Sequence, residues 1–317
     1  MYKITALGEA LIDFTPSGVS EAGMKLFEQN PGGAPANALA VFAQFGEKAA
    51  FIGKVGNDMH GQFLKETMDK AGIDTKGLVV ADDVFTTLAF VSLNDKGERE
   101  FSFARKPGAD TCLKKEEVEL SIIENTDIFH VGSLSLTDNP SKEATFFALE
   151  KAKEFGKIIS YDPNYRALLW DSKEKAIEGM RSVLDYVDVM KLSDEETLLL
   201  TDVEEPQAAA KVLLDRGMSI VAVTLGADGA YICTKEGGAF VPGFASTVVD
   251  TTGAGDSFWG GFLYQLSKSG KRPEEISIEE AKAFARFGNA VASLCVEKRG
   301  GIPAIPTMEQ VEKRLNG

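Results

Sequence analysis

Six short, largely apolar runs separated by amphipathic stretches limit this 317-residue chain to few folds. Ile4–Leu7, Ala50–Val55, Ile128–Val131, Ile158–Tyr161, Val187–Leu192 and Ile220–Leu225 read as strands. Stretches 35–45, 59–71, 141–155, 172–184, 194–201 and 206–216 carry apolar residues at helical spacing. A longer helix is expected near 278–297, where Ala281, Phe284, Ala285 and Gly288 suit close packing. This β-then-α rhythm predicts an α/β fold on a mostly parallel sheet covered on both faces. Hydrophobic residues make up 44% of the chain, ample for one large core, and no Pro- or Gly-rich linker divides it. One domain over 1–317 is the expectation.

Two segments break the rhythm. Thr87–Leu93 and Glu100–Ala104 flank the turn sequence Asn94-Asp-Lys-Gly97 and read as an antiparallel hairpin. Residues 13–30 carry little helix signal and include Pro16, Gly18 and Gly23. Together, segments near 13–30 and 85–105 predict a small β appendage inserted in the domain. It acts either as a lid that keeps water from a reaction or as a decorative or oligomer-forming flap. Its strand edges invite pairing with a second copy in a homodimer.

Composition narrows the partners. A net charge of −14 argues against nucleic acid and anionic membrane surfaces. An anionic substrate would need a local field from helix ends, a metal and a few basic residues. Cys112, Cys233 and Cys295 have no metal-like spacing and read as buried thiols. The strand-like start MYKITALGEALIDF lacks the pattern of a signal peptide, and no apolar run approaches membrane-spanning length. A cytoplasmic, reducing environment is the expectation.

Chemistry is concentrated in DTTGAGDSFWGGF, residues 250–262. Gly253, Ala254 and Gly255 make a turn with almost no side-chain bulk. A helix follows, with Phe258, Phe262 and Leu266 at the spacing of a buried face. Unpaired N–H groups at such a turn form an anion site. Asp256 beside them would repel a phosphate unless it is there to take a proton, which suggests group transfer from an anionic donor. Neither a GxxxxGK[ST] loop nor a GxGxxG fingerprint after the first strand is present.

Four further motifs each have a plain structural reading. PGGAPAN places Gly33 and Asn37 at a helix start, as a cap or as ligands to a hydroxyl. Asp13 follows a strand end, as a turn residue or as an acceptor for sugar hydroxyls. In KLSDEE, Ser193 and Glu196 fit a capping box, and Glu196 fits a hydrated Mg²⁺. In VTLGADG, Thr224, Gly226 and Gly229 fit a tight strand connection or a nucleotide cradle.

In this order the motifs resemble the ribokinase-like (PfkB) sugar kinases over essentially the whole chain. GGAPAN, FIGKVGND at 51–58, DPNYR at 162–166, KLSDEE and VTLGADG carry the resemblance, and DTTGAGDSFWGGF is its most specific part. GGAPAN, FIGKVGND and YDPNYRALLW are most similar to fructokinases.

The resemblance implies a doubly wound α/β domain with a small β lid, transferring the γ-phosphoryl of ATP to a sugar hydroxyl. It implies Asp256 as general base and the amides of Gly253, Ala254 and Gly255 as anion hole. It assigns Asp13, Gly33, Asn37 and Arg166 to the sugar, Phe101 and Phe103 to its cover, and Arg105 as a further ligand contact. Ser193, where the family usually has Asn, and Thr224, Gly226, Gly229 and Asn289 would line the ATP site. Glu196 would organise Mg²⁺ through water. Asp250 and the Thr252 carbonyl would hold a monovalent cation such as K⁺, with Gly300 adding a carbonyl. The implied activity is an ATP-dependent fructokinase. A 2-keto-3-deoxygluconate kinase, with Arg105 and Arg166 meeting the substrate carboxylate, is one alternative. A non-catalytic sugar- or nucleotide-binding regulator is another.

Overall fold

The structure is a computed structural model describing the backbone of residues 1–93 and 99–317, and their side chains except at 92, 93 and 99–101. The strands are β1 (Tyr2–Leu7), β2 (Leu11–Val19), β3 (Lys25–Gly32), β4 (Ala49–Gly56), β5 (Ile73–Ala81), β6 (Thr87–Leu93) and β7 (Arg99–Ala104). They continue with β8 (Thr126–Val131), β9 (Ile158–Tyr161), β10 (Val189–Ser193), β11 (Ile220–Thr224), β12 (Gly229–Thr234) and β13 (Gly237–Pro242). The α-helices are α1 (Ala34–Gln44), α2 (Met59–Lys70), α3 (Leu120–Glu124), α4 (Ser141–Glu154) and α5 (Lys173–Arg181). They end with α6 (Asp194–Thr201), α7 (Pro206–Asp215), α8 (Ala254–Ser269), α9 (Ile278–Cys295) and α10 (Met308–Asn316).

A nine-stranded sheet runs β13-β12-β11-β10-β9-β8-β1-β4-β5. Its pairs are parallel from β5 to β11, and antiparallel from β11 to β13. The expected mostly parallel, doubly wound sheet is therefore present. Strand β5 and the β12–β13 hairpin were not foreseen from the sequence.

Side chains alternate between two cores. In β1, Ile4 and Ala6 join one core and Leu7 the other; in β4, Phe51 and Ile52 divide the same way. Burial on both faces explains why these strands are so apolar. On one face α1, α8 and α9 pack closely. A Cβ on Gly260 would lie 2.8 Å from the Ala38 carbonyl, and one on Gly261 would lie 3.1 Å from Gly288 Cα.

The second sheet has four strands, in the order β3-β2-β6-β7. It occupies the segments where a β appendage is expected, with β2–β3 and β6–β7 antiparallel and β2–β6 parallel. The register sets Ala89 opposite Phe103 and Val91 opposite Phe101. The Asn94–Gly97 turn and the Phe101 side chain lie outside the described residues.

Strand order places the working end. β1 has β4 on one side and β8, much later in sequence, on the other. Such a reversal opens a crevice beyond the carboxyl ends of the strands. Glu9 follows β1, Asp162 follows β9, and β10 and β11 end at Ser193 and Thr224, so side chains from four strands converge there.

Candidate active site

Chain entry into α8 sets the site. Gly253 is the N-cap, in the left-handed region at φ 75°. A Cβ there would lie 3.0 Å from Gly301 Cα, so the turn demands glycine. The Ala254 N–H donates to the Thr251 carbonyl at 3.2 Å. The Gly253 and Gly255 N–H groups make no backbone hydrogen bond among the described residues, which leaves them for an anion. Phe258, Phe262 and Leu266 are all buried, as their spacing predicts.

Asp256, in the first turn of α8, is 8% exposed. Asn37 Nδ2 donates to its Oδ2 at 2.8 Å, and Asn164 Nδ2 donates to its Oδ1 at 2.9 Å. One donor comes from α1 and one from the loop after β9, so the carboxylate is gripped at both oxygens. Asn164 sits at φ 48°, a conformation asparagine tolerates better than most residues. Sequence reasoning takes only Arg166 from DPNYR and misses Asn164. The available signal is the Pro-Asn pair directly after a strand.

Lys191 is also missed. It is buried, and its Nζ lies 3.0 and 3.1 Å from the Asp162 carboxylate oxygens. Burial disfavours its charge, but Asp162, Glu196 and Asp256 outweigh burial and raise its pKa above the usual value. A Cβ on Gly255 would lie 3.0 Å from Nζ, so the ammonium stands against the glycine turn.

Two cavities meet at that turn. One, of about 640 Å³, is lined by Asp13, Gly33, Asn37, Phe103, Arg166 and Asp256 among others. The other, of about 410 Å³, lies between Gly229, Phe244, Asn289 and Val296. Thr224, Gly226, Thr251, Ala254 and Gly255 line both. The first is acidic. Burial pushes the Asp13 carboxyl up to about 6; Arg166 opposes the shift, while Asp250 and Asp256 add to it.

The other sequence candidates fall into place unevenly. Arg105 is not in either cavity. It is 8% exposed, ion-paired to Asp110 at 2.7 Å, and it donates to the Leu134 carbonyl and Thr137 at 2.8 and 2.9 Å. Its donors are engaged within the protein, which corrects its reading as a ligand contact. Ser193 lines the Asp256 cavity rather than the second one, as does Glu196. Glu196 accepts from Tyr165 N at 2.7 Å and from Ser193 N at 2.8 Å, and each oxygen keeps a further lone pair. Asn289 holds its cavity wall by donating to the Val241 and Pro242 carbonyls at 3.1 and 3.0 Å. Asp250 accepts from Thr252 N and Oγ1 at 3.0 and 2.8 Å and from Gly300 N at 3.1 Å, which brings those three residues together.

A family model described as pfkB family carbohydrate kinase matches residues 1–308. The chain belongs to the pfkB family. It is 43% identical to a probable fructokinase-5 of Arabidopsis thaliana over 317 residues, covering 98% of this chain and 97% of that protein. Among solved structures, this pfkB kinase is similar to an ATP-bound fructokinase of Xylella fastidiosa. The TM-score is 0.90 and the identity 33%, covering 99% of this chain and 98% of the other. It is also similar to a Vibrio cholerae O395 fructokinase holding fructose, ADP and calcium. There the TM-score is 0.88 and the identity 32%, covering 99% of both chains. A carbohydrate kinase must bring a phosphate donor and a hydroxyl acceptor to one point, and here two cavities meet at a glycine turn with a carboxylate beside it.

Proposed function

We propose that this pfkB kinase transfers the γ-phosphoryl group of ATP to D-fructose, giving D-fructose 6-phosphate and ADP. The observation that carries this reading is Asp256, gripped by Asn37 and Asn164 where the two cavities join. A sugar hydroxyl in the larger cavity donates to Asp256. Its oxygen forms the new bond to the γ-phosphorus as the bond to the ADP oxygen breaks, and Asp256 takes the hydroxyl proton. The Gly253 and Gly255 N–H groups, at a helix N-terminus, meet the charge on the moving phosphoryl. Lys191 adds a fixed positive charge beside that turn.

The acidity of the cavity calls for cations beside a triphosphate. Glu196, buried with one lone pair left on each oxygen, suits Mg²⁺ held through water. Such an ion, when bound, neutralises phosphate charge. Asp250, already next to Thr252 and Gly300, suits a monovalent cation such as K⁺.

Fructose is favoured over 2-keto-3-deoxygluconate because Arg105 is engaged by Asp110 and the Leu134 carbonyl. A keto acid would then have only Arg166, of the two expected arginines, for its carboxylate. A cytoplasmic location is supported by three free thiols. A homodimer through the lid is supported by exposed apolar residues there, Met24, Leu26 and Phe27 among them.

Two measurements test the reading. Asp256→Asn should lower kcat on the order of 10³-fold while ATP affinity stays within about threefold. Equal activity in the variant would remove Asp256 from its role as the base, whereas a wild type that turns over no sugar with ATP would reopen the reading as a non-catalytic binder. In a panel of fructose, 2-keto-3-deoxygluconate, ribose and adenosine, fructose should give the highest kcat/KM. Turnover of the keto acid alone would overturn the substrate.

A further inference from the structure

Helix α1 starts without a side-chain cap of its own. Its N-cap is Gly33, at φ 123°. Glu9, just beyond β1, supplies the acceptor instead: its Oε1 takes the Ala34 N–H at 2.9 Å, from 25 positions away. The two segments touch, since a Cβ on Gly33 would lie 2.4 Å from the Glu9 carbonyl oxygen. Glu9 is 3% exposed and borders the Asp256 cavity, and its Oε2 has no hydrogen-bond partner among the described residues. One turn further along α1, Asn37 donates to Asp256 Oδ2. The position of the α1 start along its axis therefore decides whether that amide reaches the carboxylate.

We propose that Glu9 is a positioning residue for phosphoryl transfer: it caps α1 from the end of β1 and thereby holds Asn37 against Asp256. The inference rests on the kinase reading above. A side-chain oxygen is the ordinary device at a helix N-cap; here it arrives through tertiary contact because glycine is required at the cap itself. The charged groups acting on Glu9 are Asp110 and Arg105, which are paired to each other. Burial pushes the Glu9 carboxyl up to about 7, against the opposing backbone hydrogen bonds. Near neutral pH the uncharged form is thus within easy reach, and the cap depends on an acceptor more than on a charge. Glutamine preserves that acceptor.

The test compares the wild type, Glu9→Ala, Glu9→Gln, Asn37→Ala and the Glu9→Ala/Asn37→Ala double variant, with D-fructose and ATP. Glu9→Ala should lower kcat about tenfold with ATP affinity unchanged, and Glu9→Gln should recover most of the loss. The double variant should be no slower than Asn37→Ala alone, because Glu9 acts through Asn37. Additive losses, full kcat in Glu9→Ala, or a glutamine variant as poor as alanine would each overturn the proposal. If Glu9→Ala does not fold, Glu9→Asp, one methylene short of Ala34, takes its place in the cycle. A wild type that phosphorylates another sugar and not fructose overturns the substrate reading alone, and the cycle is then read with that sugar.

Discussion

At the residue scale, the site crowds carboxyl groups into little-hydrated space and lets amides and cations decide which stay ionised. Asp13 shows the consequence for binding. Burial holds its carboxyl at about 6, so it is a full acceptor for sugar hydroxyls only above that pH. Fructose binding, measured by calorimetry without ATP, should weaken by about tenfold per pH unit below 6. A flat profile between pH 5 and 8 would remove Asp13 from the sugar site. Glu9 shows the consequence for stability. Its folded pKa, about 7, lies above its ordinary value of 4.5. Between those values the folded state keeps a proton that the unfolded chain has lost, so stability falls as pH rises through that window. Above pH 7 the penalty is complete, at about 3 kcal/mol. Urea unfolding should therefore show Glu9→Gln gaining on the wild type between pH 5 and pH 8. A constant difference would contradict the shift.

At the element scale, what matters is how closely α1, α8 and the end of β1 approach. Glycines carry the close approaches of Gly260 to Ala38 and of Gly33 to Glu9, and the sequence displays those glycines without naming their neighbours. Gly33 is the sharpest case, combining a positive φ with a contact to the Glu9 carbonyl. Gly33→Ala should displace the α1 start, lower kcat/KM for fructose at least tenfold, and lower Tm by several degrees. ATP affinity should change little, because the second cavity does not include α1. Loss of ATP binding would mean that the whole turn had moved. Strand periodicity foretold β1, β4, β8, β9, β10 and β11 because both of their faces are buried. It missed β5, IDTKGLVVA, where polar residues interrupt the apolar pattern and exposed positions fall along the strand.

At the scale of the whole molecule, the four-stranded sheet β3-β2-β6-β7, read from the sequence as a lid or a flap, is separate from the nine-stranded one. Val19, Met24, Leu26, Phe27 and Phe90 are exposed on it, an apolar set that a monomer rarely leaves uncovered. Sedimentation should give a dimer for the wild type and a monomer for a Leu26→Glu/Phe27→Glu variant. A monomeric wild type would leave the lid as a cover only. Arg299 also ties the loop after α9 to Glu28 of the lid at 3.1 Å, an exposed pair worth little by itself.

The sequence alone determined the parallel sheet, the glycine turn and the place of the Asp256 carboxylate beside it. Each rests on local signals: apolar periodicity, missing side chains at a turn, and a carboxylate at a fixed offset from it. Tertiary structure decided the rest. Asn164 and Lys191 joined the site, and Arg105 left it, because hydrogen bonds and ion pairs form between residues 5 to 92 positions apart in the chain. Glu9 became the cap of a helix 25 residues away for the same reason. A local pattern records what a residue's neighbours in sequence require; which partner satisfies a buried polar group is settled only when the strands are set side by side.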